Sequence, residues 1–421
     1  MGYRIGLRSV RMEAASEGAM PTSSPAVTPL ARARNNTDAL FELLGPDWLY
    51  DRPIPERHRI VFYLGHLEAF DWNLLREPLG LAAFHPSFDH LFAFGIDPPV
   101  GQSPQDQPSD WPRIGEVRAY NRRVREEIDA ALGRAPEQLL HVAVEHRLMH
   151  AETFAYMLHN LPFQAKVQPE RVAAPDGPRP NPSMIEIPAG TATLGRRRDD
   201  GFGWDNEFPE HTLAVPRFAI AKYKVTNRDY LRFVHEGAAP PHFWANRKGE
   251  WLYHGMFGER PLPLDWPVYV TQQEAAAYAA WAGKDLPTEA QFHRAAFGSP
   301  DGGERAYPWG GEPPDPARGN FDFANWDPVP VTATPAGDSA FGVSQLAGNG
   351  WEWTATKFAP FPGFERFPFY PGYSANFFDG SHYVMKGGSA RTAAPLLRRS
   401  FRNWFRPDYP FVYAGFRVVD N

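Results

Sequence analysis

The chain has 421 residues, a net charge of −6 and no cysteine, too long for one ordinary core and therefore expected to form two or more domains. That charge offers no basic patch for nucleic acid, and the missing cysteines remove disulfides, thiolate metal sites and a cysteine nucleophile. No apolar run approaches the roughly 18 residues that cross a membrane, so a cytoplasmic protein without a membrane partner is expected. Aromatic residues at 14%, with 44 Pro and 36 Gly, suit short strands and long loops over part of the chain.

In chain order, residues 1–37 are rich in Arg, Ala, Ser and Pro and lack the apolar core of a secretory signal. They read as a disordered leader, with Met12 and Met20 as alternative starts. Residues 38–163 read as helical. Asp38 is a plausible N-cap for the first helix, and apolar residues at three- and four-residue spacing mark further helices over Pro55–Leu75, Ile114–Leu132 and Leu139–Leu158. Four helices predict a bundle, an architecture that builds metal sites from inward-facing side chains. The long segment Phe84–Trp111, rich in Pro, Asp and Gln, is expected to be functional.

The fourth helix carries Glu145-His146-Arg147-Leu148-Met149-His150-Ala151-Glu152. Histidines at i and i+4 share one helical face, and both imidazoles can reach one metal ion. His66 sits in the apolar second helix, and three neutral imidazoles on two facing helices would hold a divalent transition metal with coordination positions left open. The same spacing also suits a solvated or hydrogen-bonded pair, so the residues alone leave both readings standing.

Residues 164–183 are a Pro-rich linker. Beyond them, Met184–Gly190 and Phe218–Asn227 read as short strands, Glu274–Ala282 and Thr288–Phe297 as the only strong helices, and the rest as loops held by buried aromatics. The reading is α+β: a helical bundle followed by a loop-rich domain over 184–421.

A series of landmarks spreads in order through that second domain. They are Ile187-Pro188-Ala189-Gly190, Asp205-Asn206-Glu207-Phe208-Pro209, Lys224-Val225-Thr226-Asn227, Gly283-Lys284-Asp285-Leu286-Pro287-Thr288-Glu289-Ala290, Gly348-Asn349-Gly350-Trp351-Glu352-Trp353-Thr354, Lys386-Gly387-Gly388-Ser389 and Gly415-Phe416-Arg417. On these, the domain resembles the formylglycine-generating-enzyme domain, a C-type-lectin-like fold. The helical half resembles the DinB-type four-helix domain. Their order, with the H-x3-H-x-E run, resembles the ergothioneine-pathway sulfoxide synthases (EgtB-like non-haem iron enzymes). The resemblance implies Fe(II) on His66, His146 and His150, and Glu152 as an acid bonded behind a ligating imidazole. It also implies that Asn403-Trp404 binds the betaine hercynine, the indole face suiting a quaternary ammonium. Formylglycine generation itself needs cysteines and is excluded.

Departures from that family bear on the second substrate, the donor. Its arginine pair on the long loop, which clamps the carboxylates of γ-glutamylcysteine, has no counterpart in Pro98–Pro108. An Asp after the Asn-Trp pair is Phe405, a Gln before the last histidine is Met149, and the tyrosines of a Tyr-x-x-Tyr-Pro-Gly-Phe segment are Phe358 and Phe361. Each change removes a charge or hydrogen bond that a zwitterionic thiol would need. The pattern looks like the selenoneine synthases (SenA type), which join hercynine to a selenosugar, with O2 as co-substrate and Gln102, Gln105, Phe358, Phe361 and Phe405 as the expected donor pocket. Tyr370 and Tyr373 lie nearby in sequence, but neither is assignable as proton donor. The alternatives are a sulfoxide synthase using cysteine or γ-glutamylcysteine, and a sugar- or metal-binding module without turnover.

Overall fold

The computed structural model describes residues 28–94, 103–169 and 175–421. Five helices form the first domain: α1 (Pro29–Glu42), α2 (Ile60–Leu75), α3 (Pro86–Phe94), α4 (Ile114–Ala131) and α5 (Glu137–His159). Two corrections to the sequence reading follow. The first helix starts at Pro29 rather than at Asp38, because Thr28 caps it by accepting from the Ala31 amide and Leu30, Ala33, Thr37 and Leu40 line its buried face. Within the segment read as one long loop, α3 packs on α2.

α1 packs against α5, and α2 against α4 and α5. Their register is set by a buried ionic network. Arg147 on α5 donates to Glu68 at 3.0 Å, Asp71 at 2.7 Å and the Leu67 carbonyl at 2.8 Å, all on α2. Arg125 on α4 joins Glu68 to Asp38 of α1. Burial alone would raise the Glu68 carboxyl, but Arg147, Arg125 and Arg34 hold it down to about 2. A buried network in which each guanidinium faces a carboxylate favours one arrangement, since any slip leaves a charge buried and unpaired.

The linker begins later than 164. Phe163–Ala165 form a 3-10 turn, Lys166 pairs with Leu44, and the Val167 amide donates to the Leu43 carbonyl, so this stretch packs as part of the helical domain.

The second domain comprises β1 (Met184–Ile187), β2 (Gly190–Leu194), β3 (His211–Val215), β4 (Phe218–Ala221), α6 (Asn227–His235), β5 (Trp244–Arg247), β6 (Glu250–His254), β7 (Glu259–Pro261), α7 (Gln272–Trp281), α8 (Glu289–Phe297), β8 (Trp351–Lys357), β9 (Tyr383–Lys386), β10 (Asn403–Phe405), β11 (Ala414–Gly415) and β12 (Val419–Asp420). Strands run β10-β9-β8-β11 in one sheet and β1-β4-β12 in another, with β2-β3 and β5-β6-β7 as smaller units. The sequence reading missed α6 and carried the β4 strand through to its start. Thr226 ends the extended run there, with Asp229 three residues on completing a capping box. Irregular segments are tied by buried ion pairs: Arg417 and Lys224 on Glu352, and Arg402 on Glu289.

One apolar core runs through both domains, from Leu30 and Trp72 to Trp351 and Phe416. Polar ties accompany it. The Tyr413 hydroxyl lies 3.1 Å from His159 Nδ1, and the Asn160 side chain meets His242 at 2.9 Å.

Candidate metal centre

α2 presents His66 and α5 presents His146 and His150 to one point, where one nitrogen of each lies within 4.8 Å of the others. The ring centroids are 4.4 to 5.2 Å apart. His66 Nδ1 is 2.6 Å from the Phe92 carbonyl of α3. A carbonyl only accepts, so Nδ1 carries the proton and Nε2 keeps its lone pair for a ligand. Burial pulls the His66 imidazole down to about 4, with His58 and Arg147 adding to the effect against the Phe92 carbonyl. His146 and His150 are pushed well below the ordinary value, again first by burial. All three are therefore neutral at physiological pH, the form that ligates.

Both ring nitrogens of His146 and Nδ1 of His150 are buried with no hydrogen-bond partner. Buried polar atoms are seldom left so, because each costs a desolvation penalty that nothing repays. A divalent ion among the three rings would take one nitrogen of each and so give a buried lone pair a partner. The residues present fit a metal.

Aromatic rings close the site around them. Phe70 stacks on His146 at 3.4 Å and 8°, Phe62 stacks on His66 at 4.8 Å, and Tyr63 lies 5.9 Å from His150. From the second domain, Tyr370 sits 6.4 Å from His146 and 5.3 Å from Phe70, while Tyr373 stacks on Trp204 and reaches Met149 through its hydroxyl. Phe70 follows His66 by one helical turn, a spacing that marks it as a wall of the same face.

Glu152 is not behind a ligating imidazole. Six residues beyond His146, it points about 240° around α5, away from the triad. There it accepts from Trp351 Nε1 at 2.8 Å, Ser389 Oγ at 2.5 Å and Thr392 Oγ1 at 2.7 Å, all in the second domain. The group bonded behind His66 is the Phe92 backbone carbonyl, which no side-chain motif announces.

Asn403 and Trp404 lie on β10. Trp404 stacks on Phe358 at 4.2 Å and 7°, with Tyr373 at 5.5 Å and Phe377 at 5.6 Å, and the Asn403 carboxamide oxygen accepts from the Trp404 amide. Of the four described residues of the expected donor pocket, Phe358 and Phe361 meet on the Arg402 guanidinium, while Gln105 and Phe405 make their contacts elsewhere. Gln102 lies outside the described residues. Gln105 is exposed, its amide turned onto the Ser103 carbonyl. Phe361 lies against His211 and over the Arg402 guanidinium, and Phe405 stacks on Tyr409 at 5.1 Å. The long loop is anchored by Asp106, which takes hydrogen bonds from Arg52, Arg59 and Trp111.

Sequence reasoning passed over Arg57. Its Nε donates to the Tyr409 hydroxyl at 3.1 Å and its Nη2 to the Tyr156 hydroxyl at 2.7 Å, and its charge lies close enough to Tyr63 to lower that phenol against the effect of burial. Nothing in Pro55-Glu56-Arg57-His58-Arg59 distinguishes it from its basic neighbours.

Fold and site together define a two-domain protein in which a helical bundle carries a three-histidine cluster fit to hold a metal and a loop-rich α+β domain covers it. Residues 30–160 match the DinB superfamily, and residues 170–421 match the sulfatase-modifying factor enzyme 1-like domain. The hercynine oxygenase of Mycolicibacterium thermoresistibile is 35% identical over 341 residues, covering 72% of this chain and 74% of that protein. That of Mycolicibacterium smegmatis is 34% identical over 333 residues, covering 72% and 77%. Ergothioneine biosynthesis protein 1 of Neurospora crassa is 28% identical over 491 residues, covering 90% of this chain and 55% of that protein. The chain belongs to the hercynine oxygenase family and is an oxidoreductase; the reading as a module without turnover is set aside. Among the described residues no helix is long and apolar enough to cross a membrane.

Proposed function

We propose that the protein is an Fe(II) enzyme that uses O2 to join a selenosugar to the imidazole carbon of hercynine, a selenoneine synthase. The observation that carries the iron half is the convergence of three histidines, with unpartnered buried nitrogens on His146 and His150, in a chain of the hercynine oxygenase family. His66, His146 and His150 would hold the iron, which supplies O2 activation and a position for the donor's selenium or sulfur.

The remaining groups belong to the chain itself. The Trp404 indole, backed by Phe358, offers a face to the trimethylammonium of hercynine. Asn403 has its carboxamide nitrogen left to donate to an acceptor on the substrate, its oxygen being used by the Trp404 amide. Phe62, Phe70 and Tyr63 exclude water around the imidazoles. Tyr370 takes the proton-donor role in this reading, since it and not Tyr373 makes a ring contact with His146. Burial, with Asp205 adding, raises its phenol to about 12, so the proton stays on its hydroxyl oxygen at neutral pH.

The donor half is supported by what surrounds the site. From Ser103 to Asp110 the loop presents no cationic side chain, its Asp106 carboxylate is consumed by Arg52, Arg59 and Trp111, and Phe405 is turned onto Tyr409. An uncharged polyhydroxylated donor needs no ionic clamp there. The 35% identity to a hercynine oxygenase favours a second reading, with cysteine or γ-glutamylcysteine as donor and a sulfoxide product. Iron-loaded protein given hercynine, O2 and in turn 1-selenoglucose, cysteine and γ-glutamylcysteine separates them by mass spectrometry. A selenium-bridged product from the sugar is expected. Product from a thiol alone would replace the first reading by the second, and no product from any donor would end both.

A further inference from the structure

We propose that Arg57 binds the carboxylate of hercynine beside the three-histidine centre, an assignment that rests on the hercynine reading above. Arg57 lies on the segment leading into α2, half-buried. Its guanidinium is held by hydroxyls from two elements, Tyr156 of α5 and Tyr409 of the second domain, with Tyr63 of α2 close beside it. Among the described residues no carboxylate oxygen pairs with it. Glu56, its neighbour in the chain, lies 3.8 Å from Arg406 instead.

Several deeply placed arginines around the bundle meet an acid: Arg147 has Glu68 and Asp71, Arg59 has Asp106, and Arg398 has Glu145 and Glu207. Arg391, fully buried over the Tyr413 ring at 3.8 Å, shares with Arg57 the lack of a paired acid, but it lies away from the three-histidine centre. A half-buried cation with only neutral phenols about it has lost part of its hydration without gaining a counter-charge. The Tyr409 and Tyr156 hydroxyls fix the fork in space through Nε and Nη2, and among the described residues Nη1 has no hydrogen bond to the protein. A pre-oriented guanidinium with a free edge is the standard recognition element for a carboxylate.

Its position selects which carboxylate. Tyr63 contacts both the guanidinium and, at 5.9 Å, the His150 ring. Tyr409 contacts the guanidinium and stacks on Phe405, the residue that follows Asn403-Trp404. Arg57 thus closes a continuous path from the metal centre to the strand assigned to the betaine. A betaine of histidine carries ammonium and carboxylate on one carbon, two bonds from its ring, so a molecule with its imidazole at the metal and its ammonium at Trp404 has its carboxylate branching from the same carbon as that ammonium, within the space that Arg57, Tyr63 and Tyr409 border. A neutral selenosugar has no use for this cation, and the two substrates then divide the site by charge.

The test is equilibrium binding to the full iron-loaded chain, measured by titration calorimetry without O2. Two ligands are compared: hercynine, and its decarboxylated counterpart, the trimethylammonium derivative of histamine. Wild type is expected to prefer hercynine by about 30-fold, the usual worth of a charged hydrogen-bonded pair. Arg57→Gln should abolish that preference by weakening hercynine alone, leaving the analogue within about twofold, and Arg57→Lys should restore part of it. Iron content, measured in parallel, should not change. Equal weakening of both ligands with iron retained would make Arg57 an interdomain strut and overturn the assignment, as would a preference that survives Arg57→Gln. Should Arg57→Gln fail to fold, Arg57→Lys decides: an undiminished preference with a point charge in place of the fork overturns the proposal. If wild type binds neither ligand, the hercynine reading itself has failed and takes the assignment with it.

Discussion

An imidazole ligates through one nitrogen, and what the other nitrogen touches decides tautomer and orientation. At His66 that partner is the Phe92 carbonyl, whereas His146 is oriented by the stacked Phe70 ring instead. Removing the His146 imidazole is therefore expected to abolish tight metal binding while leaving the metal-free fold nearly unchanged, since no hydrogen bond is lost with it. His146→Ala should retain less than about 1% of the iron affinity of wild type, measured by competition with a chelator. A variant that keeps both iron and turnover would defeat the assignment. Two residues along α2 from His66, Glu68 makes a pH prediction. Its carboxyl is held at about 2, below the ordinary carboxylate range, so its contribution to stability is complete above about pH 4.5 and is lost as pH falls from there towards 2. Asp71 moves the other way, raised by burial and by Glu68, and takes up its proton first. Glu68→Gln should cost about 3–5 kcal/mol at pH 7 by leaving Arg147 and Arg125 short of a partner, and should flatten the fall of stability below pH 4.5 in urea titrations. At this scale the histidines were legible, because one helical turn separates two of them and the third sits in an apolar helix, while resemblance decided between a metal set and a hydrogen-bonded pair. Glu152 was not, since a two-residue offset on a helix turns a side chain away from its neighbours rather than towards them.

The helices that carry the site hold it through close contacts between their backbones. Gly65, beside His66, faces the Phe92 ring of α3, and a Cβ there would fall 2.4 Å from that ring. Phe92 is fully buried, so the ring has nowhere to go. Alanine at Gly65 gains about 1 kcal/mol of helix propensity but must push α3 outward, and α3 brings the carbonyl that orients His66. Gly65→Ala is expected to destabilise the metal-free protein by about 1–3 kcal/mol and to weaken iron about tenfold, a pairing that a purely helical effect would not produce. Unchanged iron affinity in the presence of the destabilisation would separate α3 from the metal centre. The same helix shows why part of the fold escaped the sequence. Pro86-Ser87-Phe88-Asp89-His90-Leu91-Phe92 is too short and too rich in aromatic residues to declare a helical period, and its helicity comes from packing on α2. α1 was hidden for another reason: Arg32, Arg34 and the Asn35-Asn36 pair interrupt an apolar face that needs only Leu30, Ala33, Thr37 and Leu40. In the second domain α7 and α8 were legible because each follows a Thr with an acid or amide three residues on. α6 has the same signature at Thr226 and Asp229, obscured by the β-rich residues just before it.

Across the whole molecule, the two domains share one apolar core, and the acid at their junction tests how far they act as one. Glu152 leaves α5 to receive three donors from the second domain: an indole of β8, and hydroxyls from the Gly387-Gly388-Ser389 turn and from Thr392. Burial pushes its carboxyl up, and the three donors with Arg391 push back down, so the junction depends on a carboxylate that is costly to bury and well satisfied once buried. Wild type should unfold in a single calorimetric transition, because neither domain can expose its share of the common core without disrupting the other. Glu152→Ala strands the Trp351 N–H and two hydroxyls in an apolar junction, at a cost of about 3 kcal/mol. The transition is then expected to split, the helical domain melting first. Iron affinity should stay within about twofold of wild type, because the side chain faces away from the triad. An acid bonded behind a ligating imidazole would behave in the opposite way, with affinity falling about 10- to 100-fold and the domains still melting together. The two readings of this one residue thus exchange their outcomes between the calorimeter and the metal titration, and running both on the same variant decides whether α5 serves the metal on one face alone or on two.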